Sequence, residues 1–566
     1  MKLFNIILVL LLLFGCSSET SSIESTVAPI KNDSNHYTMI NQRVESDFND
    51  FEYQRVTKEE ILAAIDNCRD LFENDNQDIK EYEVRYNNLI EVARKYSTAY
   101  SYTLIQYDTN KDDDFYEKEY EYYLSISPDI SDKYLELDEL YIASPYYEDL
   151  IEYYHGIEIF SEDIAKIDYD HELVNQLQTE INLQAKEASD LLSQEVLIDF
   201  GNGKENALDA IYAATTIEEW NEKVEAYYRY FYDQIGDDLI DLVKKRNQIA
   251  ELKGYDNYAE MSLAEDGYIV EEVKEMAEDV LDNIKPVYDE LNQNSIYPQE
   301  FKYGDKDING VISDFSDGLT PEVSNANDFR IKYHYSNIAN NDAANAYATN
   351  LSGLNAPYLM VPESSTLNGV DTIIHEFGHF NDFYLNYPYS YMGLAKSTDL
   401  SEVSSQSFEL FFMNDYDKYY DNGWQQEKYN IKSFITNSML RASIITLSEL
   451  ELYTSDDLTL ENIKAYYGDL ALKFNNDNSP YAGLEFASIY HLYEAPIYYY
   501  NYISSANVAV QMYMESLDNS YDKYFEFIKY VDQETIGDAC LRVGLISPYD
   551  ENSWQEIGQW MLKRYQ

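Results

Sequence analysis

The sequence predicts a mainly α-helical protein with a small β element, on three observations. Apolar and aromatic residues recur at three- and four-residue spacings from about Thr57 to Leu197, and helical periodicity returns after Thr366 and persists to Gln566. Glycine and proline are scarce, 20 and 12 of 566 residues, so few points force the chain out of a helix. Only between about Tyr297 and Val361 does the texture change, with Gly304, Gly310, Pro321 and Asn-rich turns around short runs such as Ala356 to Val361 that suit strands.

Met1-Lys2 and the apolar stretch Leu3 to Phe14 read as a signal peptide, too short for an ordinary membrane span. Leu12-Leu13-Phe14-Gly15-Cys16 resembles a bacterial lipobox, with Cys16 as the lipidated residue. The expected location is therefore extracytoplasmic, a bacterial lipoprotein held to the membrane through a lipid on Cys16. Residues 1–16 form this signal, and residues 17–55, polar and acidic with few large apolar side chains, read as a disordered tether. Thr57-Lys58-Glu59-Glu60 is a capping box that opens the first helix. An N-terminal helical region is expected over 56–199, the turn cluster Phe200 to Gly203 marks its end, and residues 200–566 form the chemically equipped region.

Acidic residues outnumber basic ones 104 to 40, a net charge of −64, which repels phosphate backbones and excludes nucleic acid as a partner. Three cysteines, Cys16, Cys68 and Cys540, make neither a disulfide framework nor a C-x-x-C pair, so any metal must be held by histidine and carboxylate.

His375-Glu376-Phe377-Gly378-His379 supplies the histidines as an H-E-x-x-H motif among apolar residues. Residues four apart share a helix face, so both imidazoles can meet one zinc ion at about 2.0–2.1 Å. Glu376 projects beside them as a general base for a zinc-bound water. Gly378 inside a helix loses roughly 1 kcal/mol relative to alanine, which points to close packing or function. No H-x-x-G-x-x-H continuation follows, so the third ligand is expected to be a carboxylate from another helix. Glu402, Gln406 and Glu409 share a face of the next helix, making Glu402 the candidate ligand and Glu409 a residue of the surrounding shell. In so acidic a chain Glu402 could equally be a solvated carboxylate. Asp371, four residues before His375, could orient that histidine or serve the helix N-terminus.

The pattern Asp371…His375-Glu376-Phe377-Gly378-His379…Glu402…Gln406…Glu409 resembles the oligoendopeptidase F and thimet oligopeptidase family of zinc metallopeptidases. Ala346 to Thr349, Pro357 to Met360, Thr366 to Thr372, Arg246-Asn247 to Tyr258, the segment His491 to Tyr502 and the region Gly544 to Trp554 are similar to further stretches of that family. The resemblance implies a large helical peptidase fold with a deep channel, one zinc ion per chain on His375, His379 and Glu402, and oligopeptide substrates. It implies that Tyr502 stabilises the oxyanion and that His491 with Tyr498 or Tyr499 contacts substrate. Pro496 is expected to start the helix that carries these phenols. The strand containing Tyr358, Leu359 and Met360 is expected to pair with the substrate backbone. The chain departs from the family at Asp382, often histidine, and at Ile497 and Asn501, usually phenylalanine and aspartate. The expected activity is zinc-dependent oligoendopeptidase at the cell surface. The alternatives are a dipeptidyl carboxypeptidase, which needs a fixed cation that the sequence does not locate, and a non-catalytic peptide-capturing lipoprotein.

Overall fold

The computed structural model describes residues 43–566 except 74–78, 143, 145–168, 202, 294–295, 344, 363–369, 388–395, 456 and 532–533. The expected signal peptide, the lipidation site Cys16, the tether as far as residue 42 and the stretch 366–369 lie outside the described residues. No described helix is long and apolar enough to cross a membrane.

Three helices, α1 (Lys58–Glu73), α2 (Ile79–Thr109) and α3 (Asp114–Ile142), pack around a small core of their own in which Ile61, Ile65, Leu89, Tyr123 and Leu124 are buried. Helix α1 begins at the expected capping box: the Thr57 amide donates to Glu60 Oε2 at 2.7 Å, and the Glu60 amide donates back to Thr57 Oγ1 at 3.2 Å. Helix α4 (His171–Ser193) leads to a hairpin, β1 (Leu197–Asp199) with β2 (Lys204–Asn206), where Gly201 and Gly203 adopt φ of 104° and 102°. The turn cluster thus joins two three-residue strands rather than two helices; glycine alone enters those conformations without strain.

The main core is built by α5 (Ile217–Leu252), α6 (Val270–Asn283), α7 (Ile308–Leu319), α8 (Pro321–Lys332), a three-stranded sheet and the helices that follow it. Helices α7 and α8 occupy part of the segment expected to hold turns and short strands. Asp307 caps α7 through the Gly310 amide at 2.9 Å, and Pro321 stands at the start of α8, where its missing N–H is not needed. The sheet has the order β3 (Ser336–Ile338), β5 (Ala356–Val361), β4 (Tyr347–Leu351), with β3 parallel and β4 antiparallel to β5. Strand β5 has the expected boundaries and is buried along its whole length.

Next come α9 (Asp371–Leu385), α10 (Thr398–Phe412), α11 (Ala442–Thr454), the short α12 (His491–Glu494), α13 (Tyr500–Ser516) and α14 (Glu551–Tyr565). Cys68 and Cys540 are free and buried.

Helix α2 docks the N-terminal bundle on the sheet. Arg94 Nη2 donates to the Ser352 carbonyl at 2.6 Å and to Asn355 Oδ1 at 2.8 Å, and Thr98 Oγ1 accepts from the Gly353 amide at 2.6 Å. Residues 43–55, assigned by composition to the tether, are also seated on the fold. Phe48 is 5 % exposed among the rings of Tyr102, Tyr335 and Tyr358, its amide donates to the Tyr333 carbonyl at 2.9 Å, and the Arg43 guanidinium lies 3.3 Å from the Tyr384 ring centroid. A low average hydrophobicity conceals two or three aromatic anchors that repay the ordering of this short segment. We expect Phe48→Ala to destabilise the protein by about 3–5 kcal/mol, read as a lowered urea midpoint, whereas Leu208→Ala at an exposed position stays within about 0.5 kcal/mol.

Candidate active site

Helices α9 and α10 cross with almost no space between them, because Gly378 lies against the α10 backbone. A Cβ there would sit 2.6 Å from Ser405 Cα and 2.7 Å from the Ser404 carbonyl oxygen. This contact brings Glu402 to the histidines: its Oε2 is 3.5 Å from His375 Nε2 and 3.3 Å from His379 Nε2. All three ligand atoms lie within 4.8 Å of one another. Donors on a tetrahedral ion with bonds of 2.0–2.1 Å stand about 3.3–3.4 Å apart, so the cluster matches a zinc-sized site. His379 Nε2 and Glu376 Oε2 are buried without a hydrogen bond, which is costly unless a bound group such as a metal ion or a water meets them. Burial opposes charge on Glu402, but the imidazoles override it and hold its carboxyl well below the usual carboxylate range. Burial likewise opposes charge on His375, yet Glu402 and Glu409 push that group well above the usual imidazole range. The field that draws a proton onto His375 equally draws in a metal cation.

The groups around the cluster hold its geometry. Glu409 Oε1 is 2.5 Å from His375 Nδ1, leaving Nε2 for the metal. Asp371 makes no hydrogen bond to that imidazole. Its carboxylate accepts from Asn430 Nδ2 at 2.8 Å and Tyr416 Oη at 3.1 Å, and burial with the nearby Glu409 charge raises it to about 6. A fourth-residue spacing places Asp371 on the same helix face, but α10 reaches the imidazole first. Tyr498 is fully buried and donates to Glu402 Oε1, and Ser405 Oγ donates to Glu402 Oε2 at 3.0 Å. Tyr498 therefore orients a ligand rather than touching substrate.

Glu376 is 5 % exposed; burial raises its carboxyl above the usual range, with the imidazoles and the Ala348 amide opposing. It lines a cavity of about 250 Å³ together with His375, His491 and Tyr502. Tyr502 Oη lies 3.5 Å from His491 Nε2, and the Tyr499 ring centroid is 5.1 Å from that of His491. Burial, reinforced by Arg441 against the opposing Glu402 charge, lowers His491 to about 3, so it is a neutral imidazole at physiological pH.

Pro496 does not start the phenol-bearing helix, which begins at Tyr500. Tyr498 and Tyr499 occupy a turn before it, entered through Ile497 at φ 55°, a left-handed conformation costly for a β-branched residue. The Ile497 amide is held by the buried Glu449 carboxylate at 2.7 Å. Arg246 fixes the preceding segment by donating to the carbonyls of Leu492, at 2.8 Å, and Tyr493. Asp382 and Asn501, two of the departures from the family pattern, have partners of their own: Asp382 pairs with the buried Lys396 at 2.5 Å, and Asn501 Nδ2 donates to the Tyr498 carbonyl at 2.9 Å.

Tyr358, Leu359 and Met360 cannot pair with substrate. Their strand β5 is central, hydrogen-bonded on both sides, and 0–4 % exposed at these residues. The edges are β3 and β4, and the one at the cavity is β4, where Ala346, Tyr347 and Ala348 line the cavity. Sequence reading also missed Leu104, Asp108, Lys111, Lys186 and Asp190, cavity residues from α2, α4 and the adjoining turn that carry no motif.

A helical metallopeptidase is the class of protein that this fold and cluster define. Residues 323–529 match peptidase family M3 and residues 48–160 match the peptidase M3 N-terminal domain. The chain belongs to peptidase family M3. It is 26 % identical over 221 residues to oligopeptidase PepF of Bacillus subtilis (strain 168), a match spanning 35 % of this chain and 32 % of that relative's length. Its fold is similar to that of PZ peptidase A, with a TM-score of 0.80 and 17 % identity over 91 % of this chain and 99 % of the other. An oligoendopeptidase F from Bacillus anthracis str. Ames gives a TM-score of 0.74 and 19 % identity, covering 91 % and 98 %.

Gly378→Ala is expected to force α9 from α10 and abolish stoichiometric metal uptake, measured by elemental analysis of purified protein. Glu409→Ala is expected to weaken zinc affinity about 10–100-fold in a chelator competition, while Asp371→Asn changes it less.

Proposed function

We propose that the chain is a zinc-dependent oligoendopeptidase. The observation that carries this reading is the buried Glu376 carboxylate, with one oxygen unpaired, beside the His375, His379 and Glu402 ligand set and in one cavity with Tyr502 and His491. A metal site kept only for structure needs ligands but no such base.

Zinc, held by His375, His379 and Glu402, would supply Lewis-acid polarisation of the scissile carbonyl and acidify the attacking water. Glu376 takes the proton from that water and returns it to the leaving amine. Tyr502 donates its phenolic hydrogen to the developing oxyanion, and the neutral His491 beside it fixes the phenol and meets the substrate backbone. The β4 edge offers backbone groups at Ala346 to Ala348 for an extended peptide, which places a carbonyl next to Glu376. A cavity of about 250 Å³ suits a chain segment and excludes a folded protein. The Met1 to Cys16 signal supports action outside the cytoplasm, tethered by a lipid on Cys16. Cys16→Ser should then release the protein from the membrane fraction.

A peptide-library digest read by mass spectrometry tests the reaction. The wild-type chain with zinc should cut internal bonds, chelator should stop it, and Glu376→Gln should abolish hydrolysis while zinc content stays stoichiometric. Tyr502→Phe should lower kcat about 10²–10³-fold with a smaller change in KM. Zinc-loaded protein that cuts nothing would overturn the enzymatic reading, and strong preference for free over amidated C-termini would replace it with a dipeptidyl carboxypeptidase.

A further inference from the structure

The cavity that Glu376 and Tyr502 line is also lined by Asp108, Lys111, Lys186, Asp190 and Glu494. Their charges are unevenly matched. Lys111 Nζ lies 3.2 Å from Asp190 Oδ1, and Lys186 Nζ lies 2.9 Å from Asp190 Oδ2 and 3.5 and 3.4 Å from Glu117 and Glu121. Both cations are engaged. Among the described residues the Asp108 carboxylate accepts one hydrogen bond, from Tyr347 Oη at 3.0 Å. Glu494 is 6 % exposed, and its carboxylate has no hydrogen-bond or ion-pair partner among the described residues.

A carboxylate so buried and unpartnered is costly unless something arrives to pair with it. The tyrosines nearby do not meet the need: Tyr490 and Tyr120 sense Glu494 as a neighbouring negative charge without donating to it. Burial pushes Asp108 up to about 6 against the pull of Lys111 and Tyr347, and raises Glu494 despite Arg246 and Lys111. The fixed cations thus fall short of what these two acids require.

We propose that Glu494, supported by Asp108, forms a subsite for a hydrogen-donating cation on the substrate peptide: a lysine or arginine side chain, or the free α-ammonium group. This assignment rests on the peptidase reading for its ligand being a peptide. The net charge of −64 attracts cations at long range, but salt screens exposed charges over about 8 Å. Discrimination therefore falls to the buried carboxylates, which reject anionic groups at the same place.

The test uses a series of peptides of one parent sequence, carrying lysine or norleucine at each position in turn, with free or acetylated N-termini. Equilibrium affinities are measured on the full chain with zinc in a Glu376→Gln background, which keeps the peptides intact. At one lysine position, or for the free terminus, the cation should tighten binding about 10-fold or more. That advantage should collapse in Glu494→Gln and shrink in Asp108→Asn, with melting curves reporting that each variant is folded. An unfolded Glu494→Gln leaves the decision to Asp108→Asn and the peptide series on the parent protein. Equal affinities across the series, or an advantage that survives in the folded double variant, would overturn the subsite. Cleavage by protein with Glu376 intact is scored separately, so loss of hydrolysis with retained cation preference sinks the enzyme and not the subsite.

Discussion

The backbone contact at Gly378 is the constraint on which the site depends. Helices normally pack with axes about 8–10 Å apart because side chains fill the space between them. Across from Gly378 the other helix presents Ser404 and Ser405, small and fully buried, so nothing holds the two backbones apart. Only at this separation can the short reach of a glutamate bring its oxygen to within 3.3 and 3.5 Å of two imidazoles on another helix. The helical glycine is unfavourable for α9 alone and necessary for the pair.

Elsewhere too the protein holds carboxylates wholly or partly out of water, and it does so with few cations. Its 104 acidic residues face 40 basic ones, and tyrosine takes up part of the shortage. Buried phenols donate to Asp399 from Tyr268 at 2.6 Å, to Asp266 from Tyr500 at 2.6 Å, to Glu427 from Tyr513 at 3.0 Å and to Asp190 from Tyr107 at 2.7 Å. Tyr498 does the same for Glu402. A phenol fills core volume while offering one directed donor, which gives the 58 tyrosines a physical reason. Glu494 differs in that no phenol among the described residues donates to it.

The wall opposite the motif comes from a part of the chain far away in sequence. Arg94 and Thr98 lock α2 to the turn between β4 and β5, and this sets Asp108 and Lys111 at the cavity. The Ile497 turn, strained and held by Glu449, aims Tyr498 at the ligand and Tyr502 at the cavity. Both devices fix side chains before any peptide arrives, which is how preorganised donors gain their effect.

The sequence by itself determined the helical class, the capping box, the bounds of β5, and the grouping of His375, Glu376 and His379 on one helix, because each follows from local spacing. It also placed Glu402 and Glu409 on one helix face, although spacing alone left their roles open. Only tertiary structure decided that Glu409 and not Asp371 meets His375, that Tyr498 serves Glu402, that β4 rather than β5 is the edge at the cavity, and that residues 43–55 belong to the fold. Each of these turns on which element arrives first at a shared point in space. That is set by the close approach of α9 and α10 and the order of three strands, and no run of neighbouring residues encodes it.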